Sequence, residues 1–389
     1  MMLELLLNAD LHVPKRVGHR HLLVAGGRIA WIGTEVPEIR GVPVNRTDAE
    51  GQRVIPGLVD GHVHITGGGG EAGPESRVPS PALSAFTQSG TTSVIGLLGT
   101  DDNIRSPEEL LVTTLALRRL GLSAWCLTGG YHLPPRTVTG DVRSDLALLE
   151  PVLGVGEVAI SDHRSSQPTL DMLLAAAADA HVGGLLGGKA GILHLHVGDG
   201  PRGLSLVREA IAGSELPAGV FNPTHVNRRR ALLDEATELA RAGAVVDITA
   251  FPVAEDEDAW PAEVALSRYL ESGAPAGRVT VSSDAGGSLP VFDAAGRVTT
   301  MDAGRPRALL DALRAALDAG LPLERALPAF TLNPAAHWGL IGKGRLDAGA
   351  DADLVVLAED GSAAHVMARG RWHVRDGKAI VKGPLEDGQ

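Results

Sequence analysis

The feature that most constrains the fold is an alternation, through the middle of the chain, of short apolar segments rich in β-branched residues with amphipathic segments. The former predict buried strands and the latter predict helices. Strands are predicted near residues 54–64, 91–99, 123–131, 155–162, 191–197, 220–225, 244–249 and 278–284. Helices are predicted from Ser106 onward and over about 169–180, 203–212, 228–242, 262–271, 305–319 and 323–333. This alternation implies parallel strands joined by crossover helices, in a closed (β/α)8 barrel of the TIM type or in an open doubly wound sheet.

Polar residues favour the barrel, because they follow the ends of many different strands. They are His62 and His64, Thr100, Tyr131, Arg164, His196, His225 and Asp284. Barrel active sites are built at this carboxyl-terminal rim from several strands. An open sheet would concentrate its site at one switch point and should carry a glycine-rich phosphate fingerprint, which we do not find.

The two ends of the chain differ from the middle and consist of strand-like pieces separated by turns. Because the ends of a chain often meet in compact proteins, residues 1–55 and 346–389 are predicted to pair into one small β-sandwich domain. Residues 56–345 are then predicted to form the barrel.

Composition excludes several classes of protein. The net charge of −12 and the pI near 5.6 argue against a nucleic-acid partner. The single cysteine, Cys126, excludes an internal disulfide framework and favours a reducing cytoplasm. The first residues lack a basic segment, and their apolar run is short and broken by an acid, so we expect neither a signal peptide nor a membrane span.

The stretch from residue 54 to residue 74 contains the first candidate metal ligands. His62 and His64 are two residues apart near the end of a predicted strand, so both rings point to one face and can reach one metal ion. Four glycines follow at 67–70, where the backbone can turn sharply, and Glu71 comes next. An isolated His-x-His pair is common by chance, and a helix N-terminal cap is the alternative role for Glu71.

Collinear motifs along almost the whole chain resemble the isoaspartyl (β-aspartyl) dipeptidase family of the amidohydrolase superfamily. The motifs are GGGGEAGP at 67–74, GLLGT at 96–100, TGGYHLP at 128–134, ISDHRS at 160–165, GGLLGGK at 183–189, HVGD at 196–199, PTHVNR at 223–228 and SSD at 282–284 with Ser288. The resemblance implies a metal-dependent hydrolase of β-aspartyl dipeptides that contains two zinc ions per subunit, forms a homo-oligomer and takes a small dipeptide as its substrate. Manganese, cobalt or iron could occupy the same ligands.

The resemblance also assigns the metal ligands and the catalytic groups. His62, His64 and Asp284 would bind one metal, and His196 and His225 the other, with a hydroxide bridging the two. Asp284 would act as general base and then as acid to the leaving amine, and Tyr131 would polarise the scissile carbonyl. His194 shares a strand face with His196 and is a rival ligand, but the match to HVGD favours His196.

The remaining motif residues would bind the substrate. Glu71 is the natural partner of the α-ammonium, and Arg164 and Arg228 suit the two carboxylates. Thr100 and Ser288 would add neutral hydrogen bonds. Which arginine binds which carboxylate does not follow from the sequence. Tyr131 could also simply pack at the rim, and Arg228 opens a run of three arginines that could be a solvated helix face.

The chain departs from the family at one position. Most members bridge the metals with a carboxylated lysine, whereas the matching residue here is Glu157 and no lysine lies between residues 146 and 181. A glutamate can bridge two cations through its two oxygens but is shorter, and the extra glycine before it could let the strand approach. We therefore expect Glu157 to bridge the metals, with a single-metal site as the alternative.

Other functions stay open at this stage. The chain could hydrolyse N-acyl amino acids or cyclic amides, or it could be a mononuclear deaminase, since deaminases lack the lysine bridge. Two arginines and Glu71 suit a zwitterionic dipeptide better than a nucleobase. An inactive relative that only binds ligands is disfavoured, because every other ligand position is retained.

Overall fold

The computed structural model describes residues 3–293 and 295–386. The strands of this part of the chain are β1 (Leu3–His12), β2 (Arg16–Ala25), β3 (Arg28–Gly33), β4 (Val44–Asp48), β5 (Arg53–Pro56), β6 (Leu58–Val63), β7 (Thr91–Gly96), β8 (Ser123–Thr128), β9 (Val152–Ile160), β10 (Ile192–Val197), β11 (Phe221–Thr224), β12 (Val246–Thr249), β13 (Val279–Ser282), β14 (Ser288–Phe292), β15 (Val298–Ala303), β16 (Leu354–Leu357), β17 (Ala363–Ala368), β18 (Arg371–Arg375) and β19 (Lys378–Ala379).

The helices of the same part are α1 (Leu83–Gln88), α2 (Pro107–Leu120), α3 (Val142–Leu148), α4 (Leu170–Gly187), α5 (Ser205–Ala212), α6 (Arg230–Arg241), α7 (Ala262–Glu271), α8 (Arg307–Asp318), α9 (Leu323–Ala326) and α10 (Leu332–His337). Short 3-10 helices cover Pro74–Ser76, Ala218–Val220, Ala276–Arg278 and Leu327–Phe330.

Strands β6 to β13 form a curled, parallel, TIM-like barrel wall in chain order. Strands β6 to β11 make one parallel sheet, and β12 and β13 make a parallel pair. A hydrogen bond from Val226 N to Asp247 O joins the two sheets on one side. A parallel bridge between Val63 and Ala285 joins them on the other. These pairings agree with a TIM-like barrel, and the polar motifs lie at its carboxyl-terminal rim.

The amino-terminal end of the barrel is closed by side chains. Trp338, which caps the end of α10, is 2% exposed and packs with apolar residues of β6 to β10 in a separate buried cluster. Gly61 allows this approach, because a Cβ atom there would lie 3.0 Å from Nε1 of Trp338. Among the residues that the structure describes, the barrel interior is therefore packed below the site and opens towards the rim.

The small domain is a single mixed sheet. Its order is β19-β18-β17-β16-β5-β1-β2-β3, and β4 pairs with β1 beside β5. The pairing of both chain ends agrees with the sequence, but the predicted sandwich of two sheets is replaced by one sheet of nine strands around its own apolar cluster. The boundaries predicted at residues 55 and 345 stay predictions.

Local signals explain most helix starts. The hydroxyl of Ser106 accepts a hydrogen bond from Glu109 N at 3.2 Å, and Pro107 occupies the first turn, as expected for an N-cap. Two short helices, α1 and α3, and the hairpin of β14 and β15 were not predicted. The hairpin has few buried side chains, so it lacks the apolar periodicity on which a prediction depends.

One helix among the described residues, α4, is long and apolar enough to cross a membrane by length and composition. A third of it is buried in the protein, where it packs on α3, β9 and β10 as one of the barrel helices. Helices in the core of a protein can pass the same test, so one such helix is weak evidence for a membrane span.

Candidate metal and substrate site

The residues predicted for the site meet at the carboxyl-terminal rim of the barrel. A cavity of about 20 Å³ lies between them. Its lining comprises His64, Gly68, Gly69, Gly99, Thr100, Tyr131, Glu157, Arg164, His196, His225, Arg228, Asp284 and Ser288. His62 and Glu71 contact members of this set directly. The structure thus brings together all the side chains that the motifs indicated.

His62, His64 and Asp284 form one possible cation site. Oδ1 of Asp284 lies 3.3 Å from Nε2 of His62 and 3.1 Å from Nε2 of His64. Oδ1 of Asp284 and Nε2 of His62 are buried and have no hydrogen-bond partner. Unpaired buried polar atoms are costly, so a set of such atoms around one point fits a bound cation.

Glu157 lies between this group and a second pair of histidines. Its Oε1 is 3.4 Å from Nε2 of His64. Its Oε2 is 3.2 Å from Nδ1 of His196 and 3.5 Å from Nε2 of His225. The two oxygens thus face different histidines, and His62, Glu157 and His225 form a second group that could hold a metal ion.

A β-bulge in β9 projects Glu157 into the barrel. Gly156 and Glu157 together oppose one residue of β10, since Val155 pairs with Leu193 and Val158 pairs with Leu195. Gly156 has a φ of +147°, which only glycine adopts readily. The glycine that precedes Glu157 is therefore part of a β-bulge, which adds one residue to β9 and bends the strand. The bend brings the glutamate, which is shorter than a carboxylated lysine, towards the histidines.

Hydrogen bonds orient the two histidines of the second pair. Nδ1 of His225 lies 2.7 Å from the hydroxyl of Thr249, which leaves Nε2 facing Glu157. Nε2 of His196 lies 2.9 Å from Oδ2 of Asp162, which leaves Nδ1 facing Glu157. Carboxylates and hydroxyls commonly hold the far nitrogen of a metal-binding histidine in this manner.

The electrostatics of the cluster favour anionic carboxylates. Burial alone would raise the pKa of Glu157, but the charges of His62 and His196 hold it well below its usual range. Burial opposes protonation of His62, yet Glu157 and Asp284 raise its pKa to about 9. Two anionic carboxylates among buried histidines form a donor set suited to divalent transition metals.

His194, the rival of His196, points below the metal cluster. Its Nε2 lies 2.8 Å from Nδ1 of His62, and its Nδ1 lies 2.7 Å from Oδ1 of Asn222. Both ring nitrogens are engaged with neighbouring side chains, so His194 does not compete as a ligand. The preference for His196 agrees with this geometry.

Tyr131 directs its hydroxyl into the same cavity. The hydroxyl oxygen lies 2.9 Å from Nδ1 of His196, and the side chain is almost fully buried. Burial raises the pKa of Tyr131 well above 10, so the phenol keeps its proton and remains a hydrogen-bond donor. The guanidinium of Arg164 stacks over the ring at 5.5 Å from its centre.

Glu71 is held by three donors around one of its oxygens. Oε1 accepts hydrogen bonds from Ser288 Oγ at 2.8 Å, Thr100 Oγ1 at 3.1 Å and Arg164 Nη1 at 3.2 Å. Oε2 is buried and has no partner. Thr100 and Ser288 therefore orient Glu71, whose second oxygen remains available to a ligand cation.

The two arginines differ in how far they are already paired. Arg164 donates to both oxygens of Asp162, at 3.0 and 2.8 Å, as well as to Glu71. The contacts of Arg228 are longer, with Nη1 3.3 Å from Val197 O and from Nε2 of His196, and Nε 3.7 Å from Asp199. Arg228 is thus the more available guanidinium for an incoming carboxylate.

A larger cavity of about 490 Å³ opens outward from these arginines. Arg164 and Arg228 line both it and the small inner cavity. Its other walls come from the β14–β15 hairpin, the loop after β12 and the residues after β10 and β11. Their charged residues are Asp199, Arg229, Glu257, Asp258 and Asp302. Their apolar residues are Phe251, Pro252, Leu289, Pro290, Val291, Phe292 and Met301.

The family model described as "Amidohydrolase family" matches residues 53–373. The chain belongs to the amidohydrolase family. Proteins of this family are hydrolytic enzymes, and the metal-suited groups at the rim agree with its metal dependence. The family resemblance found in the sequence is confirmed.

Two solved structures are similar to the chain over almost its whole length. This amidohydrolase is 38% identical to a β-aspartyl dipeptidase from Fervidobacterium islandicum AW-1 in complex with β-Asp-Leu dipeptide, with a TM-score of 0.91 over 99% of this chain and 100% of that one. A second structure of that enzyme is 37% identical, with a TM-score of 0.90 over 97% and 98% of the two chains.

Among curated proteins, an adenine deaminase from Deinococcus deserti is 27% identical over 357 residues. The match covers 89% of the amidohydrolase but only 55% of the deaminase, so the chain spans about half the length of this relative.

Several residues that support the site were not assigned from the sequence. Asp162 joins His196 to Arg164, Thr249 orients His225, and Asn222 orients His194. Asp162 lies within the ISDHRS motif, so that motif was an available signal for its role. Thr249 and Asn222 belong to strand segments without such a motif, and only the neighbouring strands reveal their roles.

Proposed function

We propose that this amidohydrolase is a dipeptidase that hydrolyses β-aspartyl (isoaspartyl) dipeptides. The observation that carries the proposal is Oε2 of Glu71, a buried carboxylate oxygen without a hydrogen-bond partner. The other oxygen of Glu71 contacts Arg164, Thr100 and Ser288, which line the small cavity together with Arg228 and the metal-suited residues. A substrate with one ammonium and two carboxylates around a hydrolysable amide matches this arrangement. The similarity to the Fervidobacterium enzyme supports the same substrate class.

The donor set fits two divalent metals, with zinc as the first expectation. His62, His64 and Asp284 would hold one, His196 and His225 would hold the other, and Glu157 would contribute one oxygen to each. When bound, such metals lower the pKa of water and act as Lewis acids towards a carbonyl. Because a glutamate needs no added carboxyl group, assembly of this site would not depend on carbon dioxide.

Asp284 is the proposed general base. Burial would raise its pKa, but the charges of His62 and His64 hold that pKa below the ordinary value, so Asp284 is an anion. It would accept a proton as base and then return this proton to the leaving amine. Tyr131 would donate a hydrogen bond from its phenol to the oxygen of the scissile carbonyl.

The substrate would lie with its aspartyl part deep and its leaving residue outward. Oε2 of Glu71 would accept the α-ammonium, while Arg164 and Arg228 would bind carboxylates. Since Arg228 is the less paired arginine and borders the outer cavity, we assign it the carboxylate of the leaving residue. The side chain of that residue would then extend into the outer cavity, along its apolar residues.

The first experiment combines metal content with substrate choice. Protein purified without added metal is analysed for metal per chain and assayed on β-Asp-Leu and α-Asp-Leu, with Glu157→Ala alongside. About two metals per wild-type chain, cleavage of β-Asp-Leu alone, and loss of metal and activity in the variant would support the proposal. One metal per chain without dipeptide cleavage would overturn it and favour a deaminase or a cyclic-amide hydrolase.

A further inference from the structure

A line of buried hydrogen bonds runs from the backbone just before β12 to the metal cluster. Val245 O accepts from Nδ2 of Asn222 at 2.8 Å. Oδ1 of Asn222 lies 2.7 Å from Nδ1 of His194, and Nε2 of His194 lies 2.8 Å from Nδ1 of His62. The three side chains belong to β11, β10 and β6, and each is at most 2% exposed.

The first hydrogen bond of this series determines which atom donates and which accepts in each of the others. A backbone carbonyl only accepts, so the amide nitrogen of Asn222 faces it and the amide oxygen faces His194. That oxygen also only accepts, so the proton of a neutral His194 ring is on Nδ1. Nε2 of His194 is then an acceptor, and His62 must donate from its Nδ1.

In the neutral ring that binds a cation, this order leaves Nε2 of His62 without a proton and with its lone pair towards Asp284. Nε2 of His62 is the atom that lies 3.3 Å from Oδ1 of Asp284 and has no hydrogen-bond partner. A ring with the opposite tautomer would present an N–H there and could not bind a cation.

His194 is also the residue of β10 that faces the bulge of β9. Gly156 and Glu157 oppose it as a pair. A Cβ atom at Gly156 would lie 2.7 Å from His194 O and 2.9 Å from His194 Cβ, so the two strands are in close contact at this point. One residue thus contacts both the segment that presents Glu157 and the ring of His62.

We infer that His194 is a positioning residue for the metal centre, which fixes the tautomer and orientation of His62 through the Asn222–His194–His62 hydrogen bonds. The inference rests on the metal-binding part of the proposed function and not on the identity of the substrate. Removal of such a supporting partner typically weakens metal binding by 10- to 100-fold.

The test compares two substitutions at His194 by metal affinity. His194→Leu removes both hydrogen bonds while keeping an apolar side chain in the buried position. His194→Gln can still accept from His62 through its oxygen and donate to Asn222 through its nitrogen. The metal-free full-length chain is titrated with Zn²⁺ against a chromophoric chelator, and its thermal unfolding is measured without metal.

We expect His194→Leu to weaken Zn²⁺ binding by about 10- to 100-fold and His194→Gln by less than about fivefold. Equal affinity of His194→Leu and the wild type would overturn the inference. It would also be overturned by equal losses in both variants that parallel a lower unfolding temperature of the metal-free chain, because packing alone would then explain the effect.

A second variant covers the case in which His194→Leu does not fold. Asn222→Ala keeps the His194 ring but removes the acceptor that fixes its tautomer, so Zn²⁺ binding should weaken several-fold. Unchanged affinity would contradict the inference. His132→Gln, at a half-buried loop histidine paired with Asp102, is the matched control and should bind Zn²⁺ like the wild type. Failure of the wild type to cleave β-Asp-Leu despite normal Zn²⁺ binding would reject only the proposed substrate.

Discussion

Oε2 of Glu157 lies 3.2 Å from Nδ1 of His196, whereas Oε1 of the same carboxylate faces His64. A side chain placed in this way can serve two cations without chemical modification. We therefore expect Zn²⁺ loading of the metal-free chain to reach the same stoichiometry with and without bicarbonate. Metal analysis after gel filtration measures it, and a dependence on bicarbonate would point to a carboxylated group elsewhere.

Glu157→Gln should retain part of this geometry but lose the anionic charge. We expect about one metal fewer per chain and a fall in kcat/KM of at least about 100-fold, as for loss of a charged group in a buried site. The same metal analysis and an assay with β-Asp-Leu check both effects. Full metal content in this variant would show that Glu157 is not needed as a bridge.

Glu71 should discriminate substrates by their ammonium group. With Glu71→Gln, kcat/KM for β-Asp-Leu should fall by about 100- to 1,000-fold, because a buried charge partner is lost. Succinyl-leucine, which lacks the ammonium, provides the comparison. The wild type should strongly prefer β-Asp-Leu, and the variant should lose most of this preference.

Ser288→Ala is the control for the previous prediction, since it removes one donor to Oε1 of Glu71 and leaves Oε2 in place. Its effect on kcat/KM should stay within about tenfold. Equal losses of kcat/KM in Ser288→Ala and Glu71→Gln would indicate that both substitutions disrupt the site in general. Glu71 would then not be a specific partner of the ammonium group.

The outer cavity should favour bulky apolar residues after β-aspartate. Burial of a leucine side chain among Phe251, Leu289 and Met301 should improve kcat/KM for β-Asp-Leu over β-Asp-Gly by about tenfold or more. Met301→Ser should reduce this ratio and leave the rate with β-Asp-Gly nearly unchanged. A ratio that does not respond to Met301→Ser would place the leaving residue elsewhere.

His373 of β18 should make the protein sensitive to acid. Burial lowers its pKa from 6.5 to about 4, and both ring nitrogens lack hydrogen-bond partners. Since the folded-state pKa lies below the unfolded value, the contribution to stability is complete above pH 6.5 and is lost as the pH falls towards 4. The loss by pH 5 amounts to about 2 kcal/mol at most.

The measurement is thermal unfolding at pH 7.5 and pH 5 in the presence of a chelator, so that metal release does not contribute. His373→Leu should lose less stability on acidification than the wild type. His19→Gln, at an exposed histidine of the same domain, should behave like the wild type. Identical acid sensitivity in all three proteins would contradict the assignment to His373.

The sequence was sufficient to predict that the residues at the strand ends lie together, because the carboxyl ends of parallel barrel strands lie at one rim. His62 and His64 could be placed on one face from their spacing alone. The bulge at Gly156 could not be predicted in this way, since it depends on how β9 pairs with β10. The role of His194 depends on Asn222 in yet another strand, and such a three-strand relation leaves no periodic signal along the chain.

The packed base of the barrel around Trp338 has a consequence for the order of events in turnover. With that end closed, everything that enters the site must leave by the same mouth. If the substrate binds as proposed, the freed amino acid lies nearer the exit and departs first, and aspartate is trapped beneath it until then. We consequently expect aspartate to inhibit competitively with respect to the dipeptide, and we expect its release from Glu71 to limit the rate of turnover.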